Sequence, residues 1–290
     1  MEHDYSVTRT SKKGATQIKN IPSLHDLHAR TKEIIECARK QEEERLATGV
    51  IYLPTWREDR RGSPNSFLRS ALFAAIQSKD RAYLEKAELF TQQGISVTYT
   101  GKQLNQEDLT VWLALVDLMK KDPLGTECSF TAHSILKYMG LEIGGSGYER
   151  LENSILRMTA CAVVIKTGTH TYGGSLIHDF VIDERTKLYK LTLNRHLIKL
   201  FGDCDWTAIN WDQRKKLRNK PLCLKLHEYY SSHDNPFPVT LEFLLDLTGC
   251  KNRQKSSFKR QVKTALEELV KISFLKGYSV EGDILKVERT

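Results

Sequence analysis

Arg253, Ser256, Lys259, Arg260, Lys263 and Thr264 recur at three- and four-residue steps. At about 100° per residue those steps bring side chains to one flank of a helix. Guanidinium and ammonium groups can donate to guanine O6 and N7 or to a phosphate, and hydroxyls can serve either. A second set, Ser146, Arg150, Asn153 and Arg157, has similar spacing and lies earlier in the chain. Lys166, Lys276 and Lys286 fall in stretches that read as strands, where a lysine would touch nucleic-acid backbone or a minor groove. These twelve side chains and Lys286 point to binding a polyanion, with no catalytic step.

The elements needed to hold two such helices can be read twice. FTAHSILKYMG (Phe130 to Gly140) lies over VTLEFLLDLTG (Val239 to Gly249) at a spacing of 109, so that Thr131 meets Thr240, Leu136 meets Leu245 and Gly140 meets Gly249. Upstream, Leu113 to Leu115 fall on Leu222 to Leu224; downstream, one extra residue matches Tyr148 with Phe258, Arg150 with Arg260 and Leu156 with Leu266. In the first copy, Asp108 to Lys120 is apolar at near-helical period. Thr131 is placed to cap a short helix that Gly140 ends in the left-handed conformation. Ser146 is placed to cap a longer helix striped by Leu151, Ile155 and Met158. Cys161 to Thr167, Gly174 to Asp183 and Lys187 to Leu193 read as the strands of a wing. In the second copy, Gln213 to Ser231, Thr240 to Thr248 and Lys255 to Lys271 read as three helices, the last striped by Phe258, Val262, Leu266 and Leu269. Strands at Ile272 to Val280 and Ile284 to Val287 follow. Helix, turn, short helix, polar loop, basic helix and strand hairpin is the order of a winged helix-turn-helix. The expected fold is therefore α+β, two tandem winged-helix domains (residues 63–203 and 204–290) after a partly disordered N-terminal extension (1–62).

Charge favours the same class of partner. The 290 residues carry a formal net charge of +8 and a pI near 9.1, and each phosphate neutralised by a cation releases condensed counterions. From Trp206 to Lys263 there are twelve basic residues against five acids, making the second copy the expected source of affinity. No stretch approaches a membrane span and the N-terminus does not resemble a signal peptide, so a cytoplasmic location is expected. Six cysteines without a CxxC pair indicate neither a zinc site nor a disulfide framework, and no cofactor is expected.

Catalytic alternatives fit poorly. Strand nicking needs a His-apolar-His metal pair and a nucleophilic tyrosine; His25 and His28 with Tyr229 and Tyr230 do not have that spacing. GLEIGGSGYER lacks the GK[ST] end of a phosphate-binding loop. His227 and His233 read as surface or interdomain polar residues. The chain is not expected to be an enzyme.

The first part differs in kind. Met1 to Asn20 is polar and expected to be disordered. Ser23 to Leu46 reads as an amphipathic helix, with Leu24, Leu27, Thr31, Ile34 and Ala38 on one side, that either packs on the fold or binds a partner. GVIYLPTWREDRRGSPNS reads as a linker with exposed aromatics, Phe67 to Ala75 as a short helix, and Ile95 to Thr100 as a strand joining the first domain's sheet.

SALF (Ser70 to Phe73), ISVTYTG (Ile95 to Gly101), EDLTVWLALVDLMKKDPLG (Glu107 to Gly125), RLENSILRMTA and KLHEYYSSHDNPFPV occur in fixed order, and the chain from about Leu53 onward resembles the TrfA-type plasmid replication initiators. LPTW at Leu53 to Trp56 looks like the family's LPxW stretch, while RLATGVIY before it lacks the Gln and paired apolar anchors of a clamp-binding motif. The resemblance implies two winged helices on double-stranded DNA at direct origin repeats (iterons), origin opening, and recruitment of host proteins such as the initiator and the replicative helicase. It also implies homodimers that serve copy-number control. The alternative is a winged-helix transcriptional repressor on an operator, because a fold does not fix a function.

Overall fold

The computed structural model describes residues 53–92, 94–120, 126–168, 170–249 and 254–290. The expectations for 1–46, including His25 and His28, lie outside them, as do Arg253, Cys37 and Cys250.

The first domain runs β1 (Arg60–Pro64), α1 (Asn65–Leu68), β2 (Phe73–Ala74), β3 (Tyr83–Leu89), β4 (Ile95–Lys102), β5 (Leu104–Asn105), α2 (Gln106–Met119), β6 (Glu127–Thr131), α3 (Ala132–Met139), α4 (Gly145–Thr159), β7 (Ala162–Thr167), β8 (His170–Gly174), β9 (Ile177–Asp183), β10 (Leu188–Leu193), a 3₁₀ stretch (Arg195–Cys204), β11 (Trp206–Asn210) and α5 (Trp211–Lys216). The second has α6 (Pro221–Ser231), β12 (Val239–Thr240), α7 (Leu241–Thr248), α8 (Lys255–Lys271), β13 (Leu275–Glu281) and β14 (Ile284–Arg289).

The winged-helix plan occurs twice. Sheet orders β6-β10-β9 and β12-β14-β13 are the same topology, a short strand pairing with the last strand of the wing. The short second helices also start and stop alike. The Thr131 hydroxyl accepts from Ser134 N at 3.1 Å, and Thr240 accepts from Phe243 N at 3.1 Å. Gly140 and Gly249 both end their helices at φ 64°, where a Cβ would be strained.

Several expectations need correcting. The stretch 162–174 is a β7–β8 hairpin that does not join the wing; β7 pairs with β4 to make a separate four-stranded sheet, β3-β4-β7-β8. The first wing is β9 and β10 alone, and β4, the expected Ile95 to Thr100 strand, lies in the added sheet. Helix Gln213 to Ser231 is broken into α5 and α6, because Asn219 turns at φ 62° and Pro221, with no N–H to give, opens the next helix. The short helix of Phe67 to Ala75 is confined to α1, and residues 73–74 form β2, parallel to β5. Gly144, not Ser146, is the N-cap of α4. Asn105 caps α2 through a capping box with Asp108.

From Leu53 onward the supposed linker is folded. Trp56 is buried in the first core beside Phe201 and Trp206 and donates its indole N–H to Asp117, and β1 pairs with β11. The Arg61 guanidinium lies over the rings of both Tyr138 and Trp211, 5.0 and 4.8 Å from their centroids. Burial opposes ionisation of Asp117, but donors on Lys120, Tyr138 and Trp56 hold its pKa below the ordinary carboxylate value. The first core extends through Ile209 and Trp211; the second begins at Leu217. Cys128, Cys161 and Cys223 are buried free thiols, and burial raises the pKa of each.

The two winged helices are joined through α6, which is covered on nearly every side. Ala75 N donates to Thr248 O at 2.7 Å, and Phe90 meets Phe243 edge-on at 5.2 Å. Lys225 and Glu228 are fully buried; Lys225 Nζ donates at 2.6 Å to both Glu228 and Ser70 O. Arg214, also buried, donates to Gln106 and Thr110 and lies 3.8 Å from Glu228. His227 is buried against Phe274, so it belongs to this interior and not to the surface.

Candidate nucleic-acid interface

Side-chain burial fixes how the two third helices correspond. The core of α4 is Gly147, Leu151, Ser154, Ile155 and Met158, and that of α8 is Phe258, Val262, Ala265, Leu266 and Leu269. Each pair is 111 residues apart, for example 262 minus 151 or 269 minus 158. The expected match of Tyr148 with Phe258 is off by one residue: Tyr148 and Leu156 are exposed, while Phe258 and Leu266 are buried. In the correct register Arg260 corresponds to Glu149, Lys263 to Glu152 and Thr264 to Asn153. Where the second copy presents cations, the first presents carboxylates.

The α8 surface is cationic over its first half. Lys255, Ser256, Arg260, Lys263 and Thr264 are exposed, and the segment Lys255 to Thr264 contains no acid. Arg260 and Lys263 make no hydrogen bond or ion pair with the described residues. Ser256 and Thr264 lie on the same exposed side. Lys259, expected on this surface, instead donates to Gly282 O in the turn between β13 and β14 and tethers the wing to the helix. The C-terminal half differs, because Glu268 accepts from Lys220 and Lys271 and its pKa falls to about 2 under those bonds. On the wing, Lys276 pairs with Glu288 at 3.2 Å, whereas Lys286 is exposed without a partner among the described residues.

The first copy's predicted set is largely occupied. Arg157 reaches back to the buried Asp108, donating at 2.7 Å, and shares that carboxylate with Arg81 and Ser154. It is a structural residue and not part of an open surface. Arg150 donates to Glu107 at 2.7 Å and remains half exposed. Ser146 and Asn153 are exposed. Lys166 is exposed on β7, away from the wing where it was expected. The structure therefore gathers Ser256, Arg260, Lys263 and Thr264 into one open patch. It leaves Ser146, Arg150 and Asn153 on a separate helix whose cations and acids balance. Tyr229 and Tyr230 are buried in the second core, where neither hydroxyl can meet a phosphodiester.

An unpaired, exposed set of two cations and two hydroxyls on one helix can donate to base edges and phosphates without first breaking an internal bond. That helix and its hairpin place the chain among tandem winged-helix proteins. The TrfA protein family matches residues 26–289, and the chain belongs to that family. It is 27% identical over 258 residues to the plasmid replication initiator protein TrfA of Escherichia coli, a match covering 86% of this chain and 67% of the relative. Among solved structures it shares its fold with domains 2 and 3 of RctB, at a TM-score of 0.52 and 14% identity, covering 78% of this chain and 98% of the other. A weaker likeness, TM-score 0.45 at 13% identity over 66% of this chain and 95% of the other, is to the Pi initiator protein in a complex with iteron DNA.

Proposed function

We propose that this protein is a plasmid replication initiator that binds direct repeats at an origin, promotes opening of the neighbouring duplex and brings in host replication proteins. Family membership across residues 26–289 carries the reading, and the open cationic half of α8 supplies a means of binding. Two winged helices in one chain can set their third helices in successive major grooves, about one helical turn apart. Phosphate contacts fix register, and a few side chains read bases. Arg260 and Lys263 are suited to guanine edges, Ser256 and Thr264 to bases or phosphates, and Lys286 to the backbone beside the wing. The first copy, with its balanced α4 surface, contributes position more than sequence reading. Protomers bound side by side would bend and untwist a flexible A·T-rich segment, the deformation being offset by the added contacts. Homodimers would hold the protein away from the origin and limit copy number.

The test is a footprint of the purified full-length protein on its plasmid's origin region. Regularly spaced protected direct repeats beside an A·T-rich tract, with thymines becoming permanganate-reactive, support initiation. One protected palindrome over a promoter, with no reactive thymines, refutes it in favour of a repressor.

A further inference from the structure

The connection between the two domains is anchored at both ends. Trp211 is buried in the first core and Leu217 in the second, and the turn at Asn219 followed by Pro221 fixes the path between α5 and α6. The bridge reads RKKLRNK from 214 to 220; Arg214 and Leu217 are turned inward, and Lys215, Lys216, Arg218, Asn219 and Lys220 are exposed. Lys215 pairs with Asp212, and Lys220 with Glu268. Lys216 and Arg218 are exposed and form no ion pair with the described residues.

The bridge lies between the two third helices. On one side, Arg218 Nη2 is 3.2 Å from where a Cβ on Gly140 would sit, at the turn that leads into α4. Arg218, Lys215 and Arg150 of α4 line one crevice, in which Glu107 is the sole acid among the described residues. On the other side, the Lys220–Glu268 pair ties the bridge to α8. A duplex that met both third helices would present to the bridge the two phosphate strands that border the intervening minor groove.

We propose that Lys216 and Arg218 form a phosphate-binding site of their own on the interdomain bridge, gripping duplex DNA between the two winged helices without reading its sequence. This rests on the DNA-binding function proposed above and adds a contact that neither recognition helix makes. The anchored backbone matters, because only the two side chains, and not the chain segment that carries them, have to be ordered when DNA arrives.

The test uses the full-length protein and a duplex carrying one direct repeat, with Kd measured across a salt series. Each phosphate contact contributes about 0.9 to the slope of log K against log salt. Lys216→Gln with Arg218→Gln should therefore lower the slope by about 1.8 while keeping the rank order of base-substituted sites. Ethylation of the phosphates between the two protected grooves should interfere with wild-type binding and cease to matter for the variant. Lys102→Gln, on β4, is the control and should change neither. Arg218 lies over the end of α3, so Lys216→Gln alone provides a variant free of packing change; its expected loss of slope is about 0.9. Specific wild-type binding with an unchanged slope and unchanged ethylation pattern in the variants overturns this inference alone. A wild-type protein with no preference for any duplex overturns the initiator reading as well.

Discussion

Replacing Arg260 by Ala separates reading a base from merely adding charge. Arg260 is exposed on α8 and has no hydrogen-bond or ion-pair partner among the described residues. Removing it should leave folding stability within about 0.5 kcal/mol, the usual range for such surface positions. A bidentate arginine–guanine contact discriminates by about 1–3 kcal/mol, which is about 5- to 150-fold in Kd at 25 °C. The comparison is Arg150→Ala on α4. Arg150 must give up its 2.7 Å bond to Glu107 before it can reach DNA, so the expected loss is under about threefold, within the small worth of an exposed pair. Arg260→Lys keeps the charge but not the fork, so it should preserve the salt slope while relaxing sequence preference. Fluorescence anisotropy on one direct repeat at fixed salt, with a panel of base-substituted duplexes, reads all three variants. An Arg260→Ala protein within twofold of wild type and with the same preferences would refute the assignment, as would a larger effect at Arg150.

Three further outcomes follow from the same structure. Changing Glu149 and Glu152 to Lys gives α4 the charges that α8 carries at the corresponding positions, and each phosphate thereby gained should steepen the salt slope by about 0.9; an unchanged slope would mean that α4 does not face DNA. Glu228→Leu strands the buried Lys225 and should cost about 3–5 kcal/mol in urea unfolding at pH 7, with Lys225→Met added restoring most of it; a loss below about 1 kcal/mol would contradict the buried pair. Burial first, then the charges of Arg214, Arg289 and Arg60, push the His227 pKa from 6.5 down to about 3. Because the folded value lies below the unfolded one, its contribution is complete above about pH 6.5 and is lost at about 1.4 kcal/mol per unit as pH falls towards 3; His227→Gln should remove that slope of one proton, and identical profiles would refute it.

What was legible in the sequence was what short-range chemistry determines. Thr131 and Thr240 as caps, Gly140 and Gly249 as left-handed ends, and the span of α8 each depend on residues within a turn or two. The β7–β8 hairpin was assigned to the wrong sheet because its partner β4 lies more than sixty residues upstream, and strand spacing alone does not name a partner. Trp56 looked exposed because proline, glycine and charge surround it; its burial depends on Asp117, 61 residues away.

The register of α4 is a different case, since the stripes Leu151, Ile155, Met158 and Val262, Leu266, Leu269 already differ by 111 throughout. Matching residue types, Tyr148 to Phe258 and Arg150 to Arg260, concealed that offset and with it the replacement of cations by Glu149 and Glu152. Arg157 could not have been assigned from spacing. A cation opposite an apolar stripe either faces solvent or reaches a neighbouring helix, and only the position of Asp108 decides.

The most direct test of unequal reading by the two copies is a scan of every base pair across one direct repeat, measuring Kd for each substitution at a single salt concentration. Penalties of about 1–3 kcal/mol per base pair should cluster in one major-groove segment, with smaller effects one helical turn away. That segment should lose its sensitivity in the Arg260→Ala protein. Equal penalties in both grooves, or a sensitive segment that Arg260→Ala leaves intact, would contradict it.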